Sequence, residues 1–263
     1  ITKFKKKNLY NMSDLKKILL NKISCKSVWF MRQAGRYLPE FREIRSKNNN
    51  FIKLCLNSEL SSEITLQPIK RFDLDSAIIF SDILMVPYAL GQNITFTKND
   101  GPKLSTLNIG SVFKIKKNEF SNKLNPVYKA IEITKKKLKE NKSLICFIGG
   151  PWTLLIYMLG LKNNDNKLDL EKFNEYKSQI NRILSELTEY LCIHIKNQIN
   201  AGADVVQIFD SWAGLVPEKN LENFCYIPNK HIVEFCKREK IANICFPKGI
   251  KKNYEEFNIF VNP

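Results

Sequence analysis

The chain has 263 residues, 44% hydrophobic and 11% aromatic, enough apolar material for a sizeable core and too much for a disordered chain. No stretch reaches the run of about 18 uncharged apolar residues that a spanning helix requires, so a soluble protein is expected. Lys and Arg outnumber Asp and Glu by 42 to 26, a net charge of +16 that suits either an anionic partner or a lysine-rich solvated surface.

Along the chain, short apolar runs alternate with longer amphipathic ones. Ser13 is placed to cap a short helix through Leu20. Val28–Met31, Ser76–Phe80, Leu144–Ile148, Asp204–Phe209, Asn243–Phe246 and Phe257–Val261 read as strands. Their almost continuous apolar character suits a parallel sheet covered on both faces. Asn125-Pro126 opens a helix to about Lys139, proline being favoured at the first helical position. One long helix is predicted from about Leu170 to Ile199, with Ile180, Ile183, Leu184, Leu187, Tyr190 and Leu191 at helical spacing, ending near Ala201-Gly202. This alternation predicts a single α/β domain over 1–263, either a doubly wound open sheet or a (β/α)8 TIM-type barrel. With about six of eight strands, a barrel is incomplete in this chain.

Seven cysteines are scattered with no Cys-x-x-Cys pair and no histidine at metal-ligand spacing, so a reducing compartment is expected and a structural zinc is not. The sequence has no P-loop, Gly-x-Gly-x-x-Gly or His-Glu-x-x-His pattern. His194 and His231 read as structural or surface residues, and nothing implies a bound organic cofactor.

Four segments carry the candidate chemistry. Residues 28–36 run an apolar segment into Arg32-Gln33-Ala34-Gly35-Arg36, with Arg45 further on. Two guanidinium groups four residues apart, with a glycine between, suit a substrate bearing carboxylates or phosphates at the end of a strand. The alternative for Arg36 and Arg45 is an ordinary surface ion pair. Asp82 ends the apolar run Ala77–Phe80 and is followed by more apolar residues. It is either a helix N-cap or an anion in an apolar pocket, where poor screening makes it an effective stabiliser of positive charge. Gly149-Gly150-Pro151 leads from a strand into a helix carrying Tyr157 about two turns in, a position that by default packs in the core or at its boundary. Phe209-Asp210-Ser211-Trp212-Ala213-Gly214 brings a strand to a polar end. Without a Gly-x-Ser-x-Gly elbow, Ser211 reads as a hydrogen-bond donor rather than a nucleophile.

Taken in order, these segments resemble the uroporphyrinogen decarboxylase family. Phe30–Glu40 is similar to its N-terminal signature nearly residue for residue; Ile78–Leu84, Gly150–Tyr157 and Gln207–Gly214 are similar to its later segments, the last in the wording of the bacterial and plastid branch. The resemblance implies a (β/α)8 barrel, usually a homodimer, in cytoplasm or plastid stroma. It implies an enzyme without a cofactor that converts the four acetates of uroporphyrinogen III, an octacarboxylate, to methyl groups, giving coproporphyrinogen III and carbon dioxide. By position, Asp82 stabilises a cationic pyrrole; Arg32 and Arg36 bind carboxylates, Arg32 with a part in protonation; Gln33, Ala34, Gly35, Arg45, Tyr157 and Ser211 meet the substrate. The family also has a histidine on a later segment that this sequence does not reach, so a C-terminally truncated barrel is expected. The alternatives are a related barrel methyltransferase working at zinc with a thiol, a catalytically inactive paralogue, and a basic RNA-binding protein. Aromatic residues sitting in apolar runs speak against the last, and neither a nucleic acid nor a membrane partner is expected.

Overall fold

A computed structural model describes residues 13–20, 25–97 and 101–263. Two compact units make up the fold. The first uses described residues up to Asp82 together with Asn125–Cys146 and Asn197–Val206; the second uses Ile83–Leu124, Phe147–Lys196 and Gln207–Pro263.

The regular framework is a four-stranded sheet of β1 (Ser76–Ile78), β4 (Ser143–Gly149), β5 (Val205–Asp210) and β6 (Ala242–Pro247), in the order β1-β4-β5-β6. Strand β1 pairs with β4 in parallel, Ala77 opposite Leu144. The Asp204 N–H donates to Leu144 O at the start of β5, and the Gly150 N–H donates to Phe209 O at its end, so β4 and β5 also run the same way. Leu144, Ile145, Cys146 and Ile148 of β4 and Val205, Val206 and Ile208 of β5 are all buried, as strands covered on both faces should be. The sequence pattern predicts these four strands to within a few residues.

Helices fill the connections. In the first unit α1 (Asp14–Leu19), α2 (Pro39–Lys47), α3 (Phe51–Cys55) and α4 (Ser58–Phe72) precede β1. Leu38, Phe41, Leu54 and Ile64 form a buried cluster there, with Ala34 and Phe80 packed against it. Asn50 and Asn57 cap α3 and α4 through their side-chain oxygens. Ser13 holds the cap position of α1 but turns its hydroxyl to that of Ser143 instead. The second unit adds α5 (Met85–Ala89), a hairpin of β2 (Ile94–Thr97) and β3 (Gly101–Leu104), and α6 (Ile109–Val112). Helices α7 (Lys117–Lys137) and α10 (Ile180–Asn200) each have residues in both units. The remaining helices, α8 (Pro151–Leu159), α9 (Leu170–Tyr176), α11 (Ile227–Arg238) and α12 (Tyr254–Val261), belong to the second.

Several expectations need correction. Residues 28–31 are not a regular strand: Val28, Phe30 and Met31 are exposed, and Val28 is held by Asp75, whose carboxylate accepts its N–H at 2.6 Å. Phe257–Val261 is helical, with Phe257 and Val261 buried one turn apart and Ile259 between them 74% exposed. The long helix is two, α9 and α10, separated by a turn at residues 177–179; its end is as expected, at Gly202 with φ of +112°. Pro126 lies inside α7 rather than at its start, and the carbonyl it leaves without a donor belongs to the exposed Asn122. The hairpin is an addition that the apolar pattern does not predict. Among the described residues the sheet therefore has four of the six expected strands and does not close.

Candidate active site

In the first unit, the segment 32–36 is tied to the edge of β1 by one side chain. Gln33 is 2% exposed; its Nε2 donates to Ser76 O at 2.7 Å and its Oε1 accepts the Ile78 N–H at 3.2 Å. The amide thus supplies the donor and acceptor that a neighbouring strand would have offered. Tyr37 returns its hydroxyl to Gln33 O, closing the turn. Arg32 and Arg36, on either side, are exposed, and Ala34 is packed into the Leu38 cluster. Gly35 has no positive φ, and a Cβ there would meet only the Tyr37 ring, at 3.6 Å. Neither conformation nor packing demands a glycine at this position.

Asp82 follows β1 by four residues and is half-buried. The N-cap position of the next helix, α5, belongs to Leu84, two residues beyond Asp82. The approach to Asp82 is fixed by α4. Thr65 Oγ1 accepts the Phe80 N–H at 2.8 Å, and Ser61 Oγ donates to Phe80 O at 2.5 Å. Both backbone groups of Phe80 are held while its ring meets Phe41 and Phe51 edge-on, each at 5.8 Å. Arg45, in the last turn of α2, donates to Asn48 O and lies 5.8 Å from the Phe51 ring centre. Asp82 and Arg45 both act on the buried Cys55 thiol. Burial pushes its pKa well up, the Asp82 charge raises it further, and the Arg45 charge opposes them. An anion and a cation thus share the ground around Cys55.

In the second unit, the Gly150-Pro151 junction starts α8. Tyr157 is half-buried on that helix, its ring 6.3 Å from the Trp212 ring and inclined at 66°. Ser211 is half-buried between Asp210 and Trp212. Lys162 Nζ lies 4.7 Å from the Trp212 ring centre. Asp210 is 1% exposed and accepts from the Thr153 N–H (3.1 Å), Thr153 Oγ1 (2.7 Å) and Asn229 Nδ2 (2.9 Å), with Cys225 Sγ at 3.5 Å. Burial raises its pKa and these donors oppose the rise. The sequence presents Asp210 only as a polar strand end. The signal for more was a carboxylate closing a largely apolar strand.

Both histidines lie in the second unit; His194 is buried, with its pKa pushed down by burial to about 3, and His231 is exposed. All seven cysteines are free of disulfides. Among the described residues no group of three or more His, Cys, Asp and Glu is arranged to hold a metal, and no helix is long and apolar enough to cross a membrane.

Comparison with known proteins places this geometry. Among solved structures, a methyltransferase from Methanosarcina mazei superposes with a TM-score of 0.65 over 88% of this chain and 67% of that one. At 16% identity, it shows a shared fold only. Proteins named uroporphyrinogen decarboxylase are similar along most of the sequence. That of Orientia tsutsugamushi (strain Ikeda) is 46% identical over 88% of this chain and 68% of its own length; that of Rickettsia felis is 43% identical over 88% and 67%. A third, from Chelativorans sp., is 39% identical over 88% and 68%. All three are bacterial, so the plastid part of the expected setting is not supported. The family model described as uroporphyrinogen decarboxylase (URO-D) matches residues 16–258. The four candidate segments and nearly all of the framework that carries them lie inside that match, and the chain belongs to the uroporphyrinogen decarboxylase family.

Proposed function

We propose that the chain is a carboxy-lyase that removes carbon dioxide from the four acetate side chains of uroporphyrinogen III, leaving methyl groups and giving coproporphyrinogen III. One observation carries the reading beyond family membership: Asp82 is a half-buried carboxylate just past β1 that follows a backbone locked at Phe80. Breaking the bond between an acetate CH2 and its carboxylate leaves an electron pair that needs a sink. Protonation of the pyrrole carbon beside the acetate makes a cationic, iminium-like ring that accepts it. The exocyclic methylene so formed takes a proton to become methyl as the ring carbon loses its own. Asp82 accepts the pyrrole N–H groups and stabilises the cation, most effectively where water is sparse.

Arg32 and Arg36 are exposed and suit the peripheral carboxylates of an octacarboxylate. Arg32 also takes part in protonating the ring carbon, by family position, although a guanidinium is a weak proton donor. Gly35, which the fold does not require, leaves room for close approach of the ligand. Gln33 and Ala34 shape that turn from within. Arg45, Tyr157 and Ser211 complete the binding set, by family position. The reading includes one barrel domain over 1–263, a homodimer, work without a cofactor and a bacterial cytoplasmic setting. A zinc-dependent methyltransferase is not favoured, since the similar sequences are named as decarboxylases along most of their length.

The test is anaerobic turnover of uroporphyrinogen III by the full-length protein, with products separated by chromatography. Hepta-, hexa-, penta- and tetracarboxylate products are expected in turn, and Asp82→Ala abolishes them. Activity that survives in Asp82→Ala overturns the role of Asp82; a folded wild-type protein that forms no product overturns the function.

A further inference from the structure

The buried carboxylate of Asp210 has no part in the chemistry above, yet its contacts reach both functional residues of the second unit. Thr153 is the third residue of α8, and its N–H is one of those that a helix leaves without an internal partner. The N-cap residue is Gly150, which has no side chain to accept it. Asp210 accepts it from outside the helix, and can come close because Gly150 lacks a Cβ, which would lie 2.6 Å from both Cβ and Cγ of Asp210. Thr153 Oγ1 then donates to the same Asp210 oxygen while accepting the Trp212 N–H at 2.9 Å. The Trp212 carbonyl accepts from Trp152 Nε1 at 3.0 Å, and the Lys248 N–H donates to Asp210 O at 3.1 Å. Ser211 is therefore held between two residues whose backbones are both pinned. Tyr157 is four residues beyond Thr153 on the same helix face, and its ring meets that of Trp212.

We infer that Asp210 is a positioning residue that sets Ser211 and Tyr157 relative to each other through the Thr153 hydroxyl. The contacts define the chain of donors: Trp212 N–H to Thr153 Oγ1, Thr153 O–H to Asp210. Asn229 Nδ2 and the Cys225 thiol face the second Asp210 oxygen. An amide in place of the carboxylate would turn an NH2 toward one of these two donor sets, so at most one of the two acceptor oxygens is kept.

This inference rests on the proposed decarboxylase function for its kinetic readout, and on hydrogen exchange for a readout independent of it. In the full-length protein, Asp210→Asn and Thr153→Val are each expected to lower kcat/KM for uroporphyrinogen III about ten-fold or more. The double variant is expected to be little worse than either, and Thr153→Ser, which keeps the hydroxyl, to recover most of the loss. The Trp212 amide should exchange faster in both single variants and not in Thr153→Ser. If Asp210→Asn does not fold, the Thr153→Val and Thr153→Ser pair decides. Wild-type kcat/KM and unchanged Trp212 exchange in a folded Asp210→Asn or Thr153→Val protein overturn the inference, as does a Thr153→Ser loss as large as that of Thr153→Val. If the wild-type protein does not turn over uroporphyrinogen III, the function falls, and faster Trp212 exchange in Thr153→Val still upholds the relay.

Discussion

Replacing Gln33 by methionine isolates what its side chain does. Methionine keeps the length and much of the volume but has neither the Nε2 donor nor the Oε1 acceptor. Two backbone groups then lose partners: Ser76 O, bonded at 2.7 Å, and the Ile78 N–H, bonded at 3.2 Å. Both belong to buried residues of β1. An orphaned buried backbone group costs about 1–3 kcal/mol. The Ser76 bond, being shorter, should lie toward the top of that range and the Ile78 bond toward the bottom, for a total of about 3–4 kcal/mol. For a chain of this size, each kcal/mol moves the melting temperature by about 2–4 °C. A fall of roughly 6–16 °C is therefore expected in thermal unfolding followed by far-UV circular dichroism.

The same variant separates structure from binding. If Gln33 works by holding the 32–36 turn to β1, the loss appears in stability, and in KM through displacement of Arg32 and Arg36. The rate of the chemical step at saturating substrate should fall less. A Gln33→Met protein melting within about 1 °C of wild type would refute the reasoning, because two buried backbone groups cannot lose their partners at so small a cost.

Thr65→Val removes the acceptor of the Phe80 N–H and should destabilise by about 1–2 kcal/mol while lowering kcat about ten-fold, since Asp82 lies two residues further on; melts and steady-state kinetics check both. Gly214→Ala would place a Cβ 2.7 Å from Gly249 O, a backbone atom that cannot rotate away, and should cost about 1–3 kcal/mol in urea unfolding; an unchanged midpoint counts against it. His194 titrates near 3 when folded and near its ordinary value of about 6.5 when unfolded, so the unfolded state binds the extra proton between those limits. Its share of stability is complete above about pH 6.5 and shrinks as pH falls, by about 3 kcal/mol at pH 4. His194→Gln should flatten that slope, read from denaturant midpoints across pH 4–7, and equal slopes in the two proteins would exclude the effect.

What was legible in the sequence follows from what each pattern reports. Strands β4 and β5 announced themselves because strands buried on both faces are apolar at nearly every position, the buried Gln207 of β5 being an exception. The same criterion misread residues 28–31, which are apolar but exposed at Val28, Phe30 and Met31; composition alone cannot say whether a run has a neighbour. At 257–261, a window of five residues was too short to separate the helical spacing of Phe257 and Val261 from a strand. The hairpin β2 and β3 escaped because its strands are brief and Pro102 interrupts one of them. The candidate residues were visible as polar side chains at the ends of apolar runs. Their support was not, since Ser61, Thr65 and Thr153 look like ordinary helix residues until their partners are known.

Those supports share one design. Phe80, before Asp82, and Trp212, after Ser211, each have both the backbone N–H and the carbonyl held by side chains of a single helix. In one case they are Thr65 and Ser61 of α4, in the other Thr153 and Trp152 of α8. A residue just past a strand has left the ladder, and its peptide groups would otherwise seek water or another conformation. Bonding both groups to one rigid helix removes that freedom within hydrogen-bond tolerance, and it does so through side chains that are themselves buried. A hydroxyl serves well in this position: Thr65 and Thr153 each accept a strand-end N–H, and each passes its own proton on, to Ser61 O or to Asp210. Valine at either site would keep the shape and break the relay, so shape-conserving changes at these threonines should be far less tolerated than their remote positions suggest.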